Sequence, residues 1–139
     1  MSAVPHQASC VSVHGRGILI VGPPGSGKSS LALALIDRGA TLVGDDGVLL
    51  EERDGRLWAL PPPNIAGLLE IRNVGLATMS VEAAPVALVL RLDPEALRLP
   101  ESAERIALAG VSVPLIRLYP DSPALPLRAE WALALHGTA

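Results

Sequence analysis

The chain has 139 residues, a length typical of one domain, and half of them are apolar, which is enough to build a buried core. Its net charge of −3 and its 2% aromatic content argue against a nucleic-acid surface of basic side chains or stacking rings. The single cysteine, Cys10, excludes an internal disulfide. No apolar run approaches the roughly 20 residues of a membrane helix, and no signal peptide is recognisable. We therefore expect a cytoplasmic protein without nucleic-acid or membrane partners.

The N-terminal third predicts two strands followed by a helix. The strands are expected at 8–13 and 18–21, and the second is a continuous apolar run, which is typical of a strand buried on both faces. A glycine-rich loop then leads into a helix predicted over 28–38, with Gly39 as its end. The helix is apolar around its centre, which predicts that it is buried.

The rest of the chain predicts more strands than helices. A strand at 41–43 comes first, and a hairpin over 48–60 turns at Asp54 and Gly55. Further strands are expected at 68–71, 85–92 and 113–118, and a helix at 101–108. The apolar spacing of 126–136 fits a strand or a helix, and the flanking Pro126 and Gly137 favour a helix.

Residues 22–29 carry a complete phosphate-binding motif, whose glycines let backbone amides face phosphate oxygens. Lys28 is expected to contact the β- and γ-phosphates, and Ser29 to ligate Mg²⁺. Because an apolar strand precedes the motif and a helix follows it, nucleoside triphosphate binding is favoured over an ordinary glycine-rich turn. The predicted nucleotide-binding residues are Gly22, Pro23, Pro24, Gly25, Ser26, Gly27, Lys28 and Ser29.

Three carboxylates are candidates for phosphoryl-transfer chemistry, which needs a metal ligand and a group that accepts the acceptor's proton. Asp45 and Asp46 directly follow a strand, so one of them can face the γ-phosphate, although a simple turn at Asp46 and Gly47 is equally compatible. Glu70 shares a strand face with Arg72, and the alternative there is a solvent-exposed ion pair.

Several segments together resemble the catalytic domain of HPr kinase/phosphorylase, a bacterial family that acts on a serine of the phosphocarrier protein HPr. They are the motif at 22–29, Leu-Ala-Leu at 31–33, Ile-Asp-Arg-Gly at 36–39, Leu-Val-Gly-Asp-Asp at 42–46 and Leu-Glu-Ile-Arg-Asn-Val-Gly-Leu at 69–76. Weaker likenesses are Arg-Leu-Pro at 98–100 and Gly-Val-Ser-Val-Pro at 110–114. The resemblance covers about 6–118.

The resemblance implies an α/β fold over residues 1–139: one P-loop kinase domain with a mixed sheet around a central P-loop helix, as in HPr kinase and PEP carboxykinase. It implies an ATP- and Mg²⁺-dependent protein serine kinase that phosphorylates an HPr-type phosphocarrier and forms homo-oligomers, hexamers in the family. By position, Asp46 matches the family's proton acceptor, and Lys28 and Arg98 match its basic catalytic residues. Ser29 and Glu70 match the Mg²⁺ ligands.

The chain departs from the family pattern at several positions. Gln7 stands where the family has a catalytic histidine, with His6 one residue away, and Asn73 replaces a signature glycine. The segment that the family links to the phosphorylase reaction is replaced by 119–126, so the resemblance favours the kinase direction. The chain also resembles short stand-alone members of the family, notably in alphaproteobacteria, that have no N-terminal domain.

Two other functions remain compatible with the same residues. One is a P-loop kinase that phosphorylates a small molecule, although the scattered arginines lack the cluster of a closing segment. The other is an ATP-sensing module without catalysis, which the departures at Gln7 and Asn73 favour.

Overall fold

A computed structural model describes residues 3–139. The elements in chain order are β1 (Val4–His6), β2 (Ser9–Val13), β3 (Arg16–Val21), α1 (Lys28–Asp37), β4 (Thr41–Gly44), β5 (Val48–Arg53), β6 (Arg56–Leu60), β7 (Leu68–Ile71), β8 (Gly75–Thr78), β9 (Ala84–Leu92), β10 (Glu104–Leu108), β11 (Val111–Leu118) and α2 (Leu125–His136). Neither helix is long and apolar enough to span a membrane.

The main sheet is mixed, which confirms the α/β expectation. Its strand order is β1-β5-β6-β9-β3-β2-β4, and β11 also pairs with β9, with β10 beside it. Strands β3 and β11 run parallel to β9, whereas the other neighbours are antiparallel. Strands β7 and β8 form a separate two-stranded sheet.

Both faces of the sheet are buried, and this explains the uninterrupted apolar sequence of β3. Ile18 and Ile20 join a core formed with α1 and α2. Leu19 joins a second core on the opposite face, where β5, β6 and β9 contribute residues. Since successive side chains of a strand alternate between its faces, a strand between two cores needs apolar residues at every position.

The sheet topology places the glycine-rich loop and the Asp45–Asp46 pair at one edge. Strand β2 is antiparallel to both β3 and β4, so β3 and β4 run in the same direction. Their carboxyl ends therefore lie at the same edge of the sheet, where α/β proteins usually bind ligands. Most of the predicted elements are confirmed within a few residues. They are the helices at 28–38 and 126–136, the hairpin at 48–60, and the strands at 8–13, 18–21, 41–43, 68–71, 85–92 and 113–118.

The predicted helix at 101–108 is wrong. Residues of this segment form β10, which pairs antiparallel with β11. A two-residue turn joins them, with φ of 48° at Ala109 and 79° at Gly110, and positive φ at both positions suits a tight hairpin. The segment's helix-forming composition is overridden by strand pairing. Strands β1 and β8 were not predicted from the sequence.

Candidate active site

The phosphate loop has the geometry that its glycines predict. Gly25 and Gly27 have φ of 79° and 103°, and no atom would crowd a Cβ at either position. Backbone conformation, not space, therefore requires glycine here. No side chain from residues 3–139 caps the N-terminus of α1, so its first amides remain available to an anion at the positive end of the helix.

The first glycine of the loop is required for a different reason. A Cβ at Gly22 would lie 2.7 Å from Ser26 Oγ and 3.3 Å from Leu92 Cβ, so the loop packs tightly on itself and on β9. Within residues 3–139, the buried Ser26 Oγ has no hydrogen-bond partner. The loop thus holds a polar atom to which the described part of the chain offers no hydrogen bond.

Lys28 lies over its own loop. Its Nζ donates to the carbonyl oxygens of Gly22, at 2.9 Å, and Pro23, at 3.2 Å. These neutral acceptors hold the ammonium group at the start of the helix. A phosphate oxygen in the cleft would offer a stronger, charge-assisted bond in their place.

Asp45 connects three parts of the site. Its Oδ1 accepts hydrogen bonds from Ser29 Oγ, at 2.6 Å, and from Ser9 Oγ, at 2.9 Å. Its Oδ2 accepts one from the backbone N–H of Glu70, at 3.2 Å. The carboxylate therefore joins the start of α1, strand β2 and the β7–β8 hairpin.

Asp46 is oriented differently from its neighbour. Its backbone has a φ of 57°, and its N–H donates to Ser9 Oγ at 3.3 Å. Its side chain is exposed and lines the cleft, and it makes no hydrogen bond with any residue from 3 to 139. Of the two carboxylates, Asp46 is the one that is free to meet a substrate.

The loop, the end of β4 and the hairpin enclose a cleft of about 330 Å³. Its lining includes two cationic side chains, Lys28 and Arg72, and two carboxylates, Asp46 and Glu70. The remaining lining residues are Gln7, Gly22, Pro24, Gly25, Gly27, Ser29 and Ser30. The structure thus brings the loop, Asp46 and Glu70 together, as a shared site requires.

Arg98 is not brought to this cleft. It lies in the exposed segment between β9 and β10 and is absent from the residues that line the cleft. Its catalytic role therefore stays a prediction from the resemblance. At the position of the family's histidine, Gln7 lines the cleft, whereas His6 lies in β1 opposite Val48.

Two residues that contribute to the site were not among its predicted residues. Ser9 is completely buried, and its hydroxyl contacts both members of the Asp45–Asp46 pair. A serine among apolar residues in a buried strand was the available signal, although Ser12 on the same strand gives the same signal. Arg72 was noticed only as a neighbour of Glu70 on one strand face, yet both side chains line the cleft.

The residues present fit a magnesium ion that arrives with a nucleotide. No cluster of three or more His, Cys, Asp or Glu suited to a metal occurs among residues 3–139. Mg²⁺ commonly keeps several waters and takes one or two protein ligands beside phosphate oxygens. Ser29 and Glu70 offer oxygen donors, and because Ser29 directs its proton to Asp45, its lone pairs remain free for a cation.

A phosphate loop between a buried strand and a helix, on a mixed sheet with a carboxylate at the same edge, defines a P-loop protein with a kinase fold. A family model described as the HPr serine kinase C-terminal domain matches residues 2–83, more than half of the chain. The chain belongs to this family.

Individual relatives agree with the family match. HPr kinase/phosphorylase of Streptococcus thermophilus is 39% identical over 122 residues, covering 78% of this chain. The protein of the same name from Clostridium tetani is 48% identical over 66 residues, covering 48% of this chain and 22% of the relative. The chain spans only 40% of the length of the Streptococcus relative.

A solved structure of the Hpr(Ser) kinase/phosphatase from Coxiella burnetii matches the fold with a TM-score of 0.81. The sequences are 30% identical, and the match covers 94% of this chain and 88% of the other. The likeness therefore extends beyond the residues of the family model, through the C-terminal strands and most of the chain.

Proposed function

We propose that this chain transfers the γ-phosphoryl group of ATP to a serine hydroxyl of an HPr-type phosphocarrier protein. The observation that carries the proposal is the cleft, in which the carboxylate of Asp46, unpaired among residues 3–139, stands beside a complete phosphate loop. The names of the relatives supply the acceptor: HPr kinase/phosphorylase and Hpr(Ser) kinase/phosphatase. Residues 1–139 act as one catalytic domain in this proposal.

Nucleotide binding falls to residues 22–29. The amides of the loop and the first turn of α1 donate to the phosphates, and Lys28 exchanges its carbonyl partners for β- and γ-phosphate oxygens. Ser29 and Glu70 would hold Mg²⁺, which neutralises the developing charge of the phosphates. Asp45 keeps Ser29 oriented by accepting a hydrogen bond from its hydroxyl group.

The transfer step is assigned to Asp46. The seryl oxygen attacks the γ-phosphorus, its proton passes to the carboxylate of Asp46, and the bond from the γ-phosphorus to the β,γ-bridging oxygen breaks to release ADP. Lys28 and Arg72 line the cleft, so they stabilise the charge on the transferred group. Arg98 has the corresponding role only by resemblance.

The kinase direction is favoured over the phosphorylase direction. Gln7 lines the cleft where the family has a histidine, and an amide does not gain or lose a proton near neutral pH as imidazole does. At this position the cleft therefore offers an amide in place of an acid–base group that the phosphorylase reaction could use. We further propose that the reaction takes place in the cytoplasm and that the chain works as a homo-oligomer.

The test measures ATP turnover with an HPr-type phosphocarrier and, separately, with a panel of small hydroxylated metabolites. The proposal predicts stimulation by the carrier alone, and one added phosphate on a carrier serine by intact mass and site mapping. Stimulation by a metabolite would instead support a small-molecule kinase. Tight ATP binding without transfer to any acceptor would support an ATP sensor.

A further inference from the structure

Two strongly exposed aliphatic side chains lie on the hairpin that borders the cleft. Val74 is 78% exposed and Leu76 is 72% exposed; we refer to this pair as the hairpin rim. We propose that the hairpin rim docks the acceptor protein by contacting apolar side chains that flank the accepting serine. The inference rests on the proposed function, since it concerns how the acceptor of that reaction is recognised.

Strand pairing places the rim beside the catalytic cleft. Leu76 lies directly opposite Glu70 in the antiparallel register of β7 and β8, and directly opposite residues project from the same face. Glu70 and Arg72 both line the cleft. They also line an open groove on the hairpin, formed by residues 70–76, which includes both rim residues. The cleft and the rim are therefore parts of one continuous surface.

The hairpin is anchored from its other face, so the rim is not needed to hold it in place. Leu69 is completely buried, and β7 packs against α1. The N–H of Glu70 donates to Asp45, and the N–H of Met79 donates to the carbonyl of Gly67 at 2.7 Å. The chain thus fixes the hairpin at the edge of the cleft and leaves two aliphatic side chains directed outward.

The size of the cleft indicates what covers the rim. A space of about 330 Å³ admits phosphates and one reacting side chain, but no folded domain. A protein whose serine reaches Asp46 must therefore lie over the walls of the cleft, and the hairpin is one of those walls. Apolar contacts at the edge of such a site favour a protein partner.

The chain provides a closely matched control for this surface. Leu135 is 71% exposed, almost the same as Leu76, but it lies on α2 and does not line the cleft or the groove. A change from leucine to serine at either position removes the same apolar group from water-exposed surface. Only the change at Leu76 should affect the acceptor.

The experiment compares Leu76→Ser, the double variant Val74→Ser/Leu76→Ser and Leu135→Ser. Carrier binding is measured by calorimetric titration with an HPr-type phosphocarrier, and transfer by steady-state kinetics. We expect the rim variants to raise the Kd and KM for the carrier about tenfold, with kcat and the Kd for ATP unchanged. Leu135→Ser should match the unmodified chain in all four values.

The outcomes separate this inference from the proposed function. Unchanged carrier binding in the double variant would overturn the docking role of the rim. A loss of oligomer mass in Leu76→Ser, measured by sedimentation, would also overturn it by showing that a second copy covers the rim. Carrier binding that is weakened by the rim variants, without transfer by the unmodified chain, would support docking and overturn only the kinase proposal. Absence of carrier binding by the unmodified chain would overturn both.

Discussion

The two walls of the cleft are built in different ways. The phosphate loop continues from a strand that lies between two cores, and the side chains of Lys28 and Ser29 both have hydrogen-bond partners within the wall or its support. The opposite wall is a two-stranded hairpin outside the main sheet, with mostly exposed residues. We infer that the first wall binds the nucleotide and that the second wall contacts the acceptor.

Lys28→Ala should produce the largest loss on the loop wall. Removing the ammonium group deletes a charge-assisted contact with the phosphates, so the Kd for ATP should rise about a hundredfold. Isothermal titration with ATP and Mg²⁺ measures this change. Arg128→Ala is the matched control, because Arg128 is exposed on α2, does not line the cleft and should leave the Kd for ATP unchanged. Equal losses in both variants would contradict the placement of the nucleotide.

Asp45→Asn tests the connection between the walls. An amide offers a donor where one carboxylate oxygen now accepts, so at least one of the three bonds to Asp45 is lost. We expect the free energy of unfolding to fall by about 1–3 kcal/mol, and transfer to fall with it. Urea unfolding measures the first effect, with Asp46→Asn as the control, because the Asp46 side chain has no partner among residues 3–139. Equal stability of the two variants would contradict the connecting role of Asp45.

Ser9→Ala should reduce transfer without affecting nucleotide binding. Ser9 holds the backbone of Asp46 and one oxygen of Asp45, so its loss should lower kcat about tenfold while the Kd for ATP stays constant. Hydrogen exchange at the Asp46 amide should become faster, which a purely structural defect elsewhere would not cause. Ser9→Thr retains the hydroxyl and should recover activity.

Ser12→Ala is the control for Ser9→Ala. Ser12 lies on the same strand, and its buried hydroxyl has no partner among residues 3–139. A similar loss of kcat in Ser12→Ala and Ser9→Ala would show that β2 packing, not the hydroxyl of Ser9, is responsible.

Much of the loop wall was predictable because its signals are local. The motif at 22–29 requires its glycines through backbone conformation, and the alternating cores on either side of β3 require an apolar run. The sequence also predicted that one carboxylate of the Asp45–Asp46 pair reaches the site. It could not show that Asp45 accepts hydrogen bonds from Ser9 and Ser29, because these contacts join residues that are far apart in the chain.

The hairpin wall and the C-terminal region were less predictable. The turn at Ala109 and Gly110 converts a helix-forming segment into β10 through pairing with β11, which local propensity does not report. The sequence likewise placed Glu70 and Arg72 on one face, but only the register with β8 puts Leu76 beside Glu70. Arg98 was assigned by resemblance, and the fold does not bring it to the cleft.

The smallest expected effect lies outside both walls. Arg117 pairs with Asp93, at 3.1 Å, and with Glu104. The pKa of Asp93 is lowered by the backbone N–H of Glu95 and then by Arg117, and the pKa of Glu104 is lowered by its hydrogen bond from Arg117. Lowered folded-state pKa values contribute stability at neutral pH that is lost as the pH falls below the usual carboxyl range of about 4.

Arg117→Leu should therefore make thermal stability depend less on pH between about 5 and 3, with only a small change because the cluster of Arg117, Asp93 and Glu104 is at least partly exposed to solvent. Melting curves across this range check the prediction. Phosphoryl transfer at neutral pH should be unchanged, because the cluster does not line the cleft. A steeper pH dependence in the variant would contradict the proposed stabilisation.

The most direct test of the account is phosphoserine formation on an HPr-type phosphocarrier by the unmodified chain and by Asp46→Asn, at saturating ATP and Mg²⁺. We predict one phosphate on a serine for the unmodified chain and a rate lower by about 10²–10⁴-fold for the variant, with the same Kd for ATP. An unchanged rate in Asp46→Asn would contradict the role of Asp46 as the proton acceptor, and with it the assignment of the two walls.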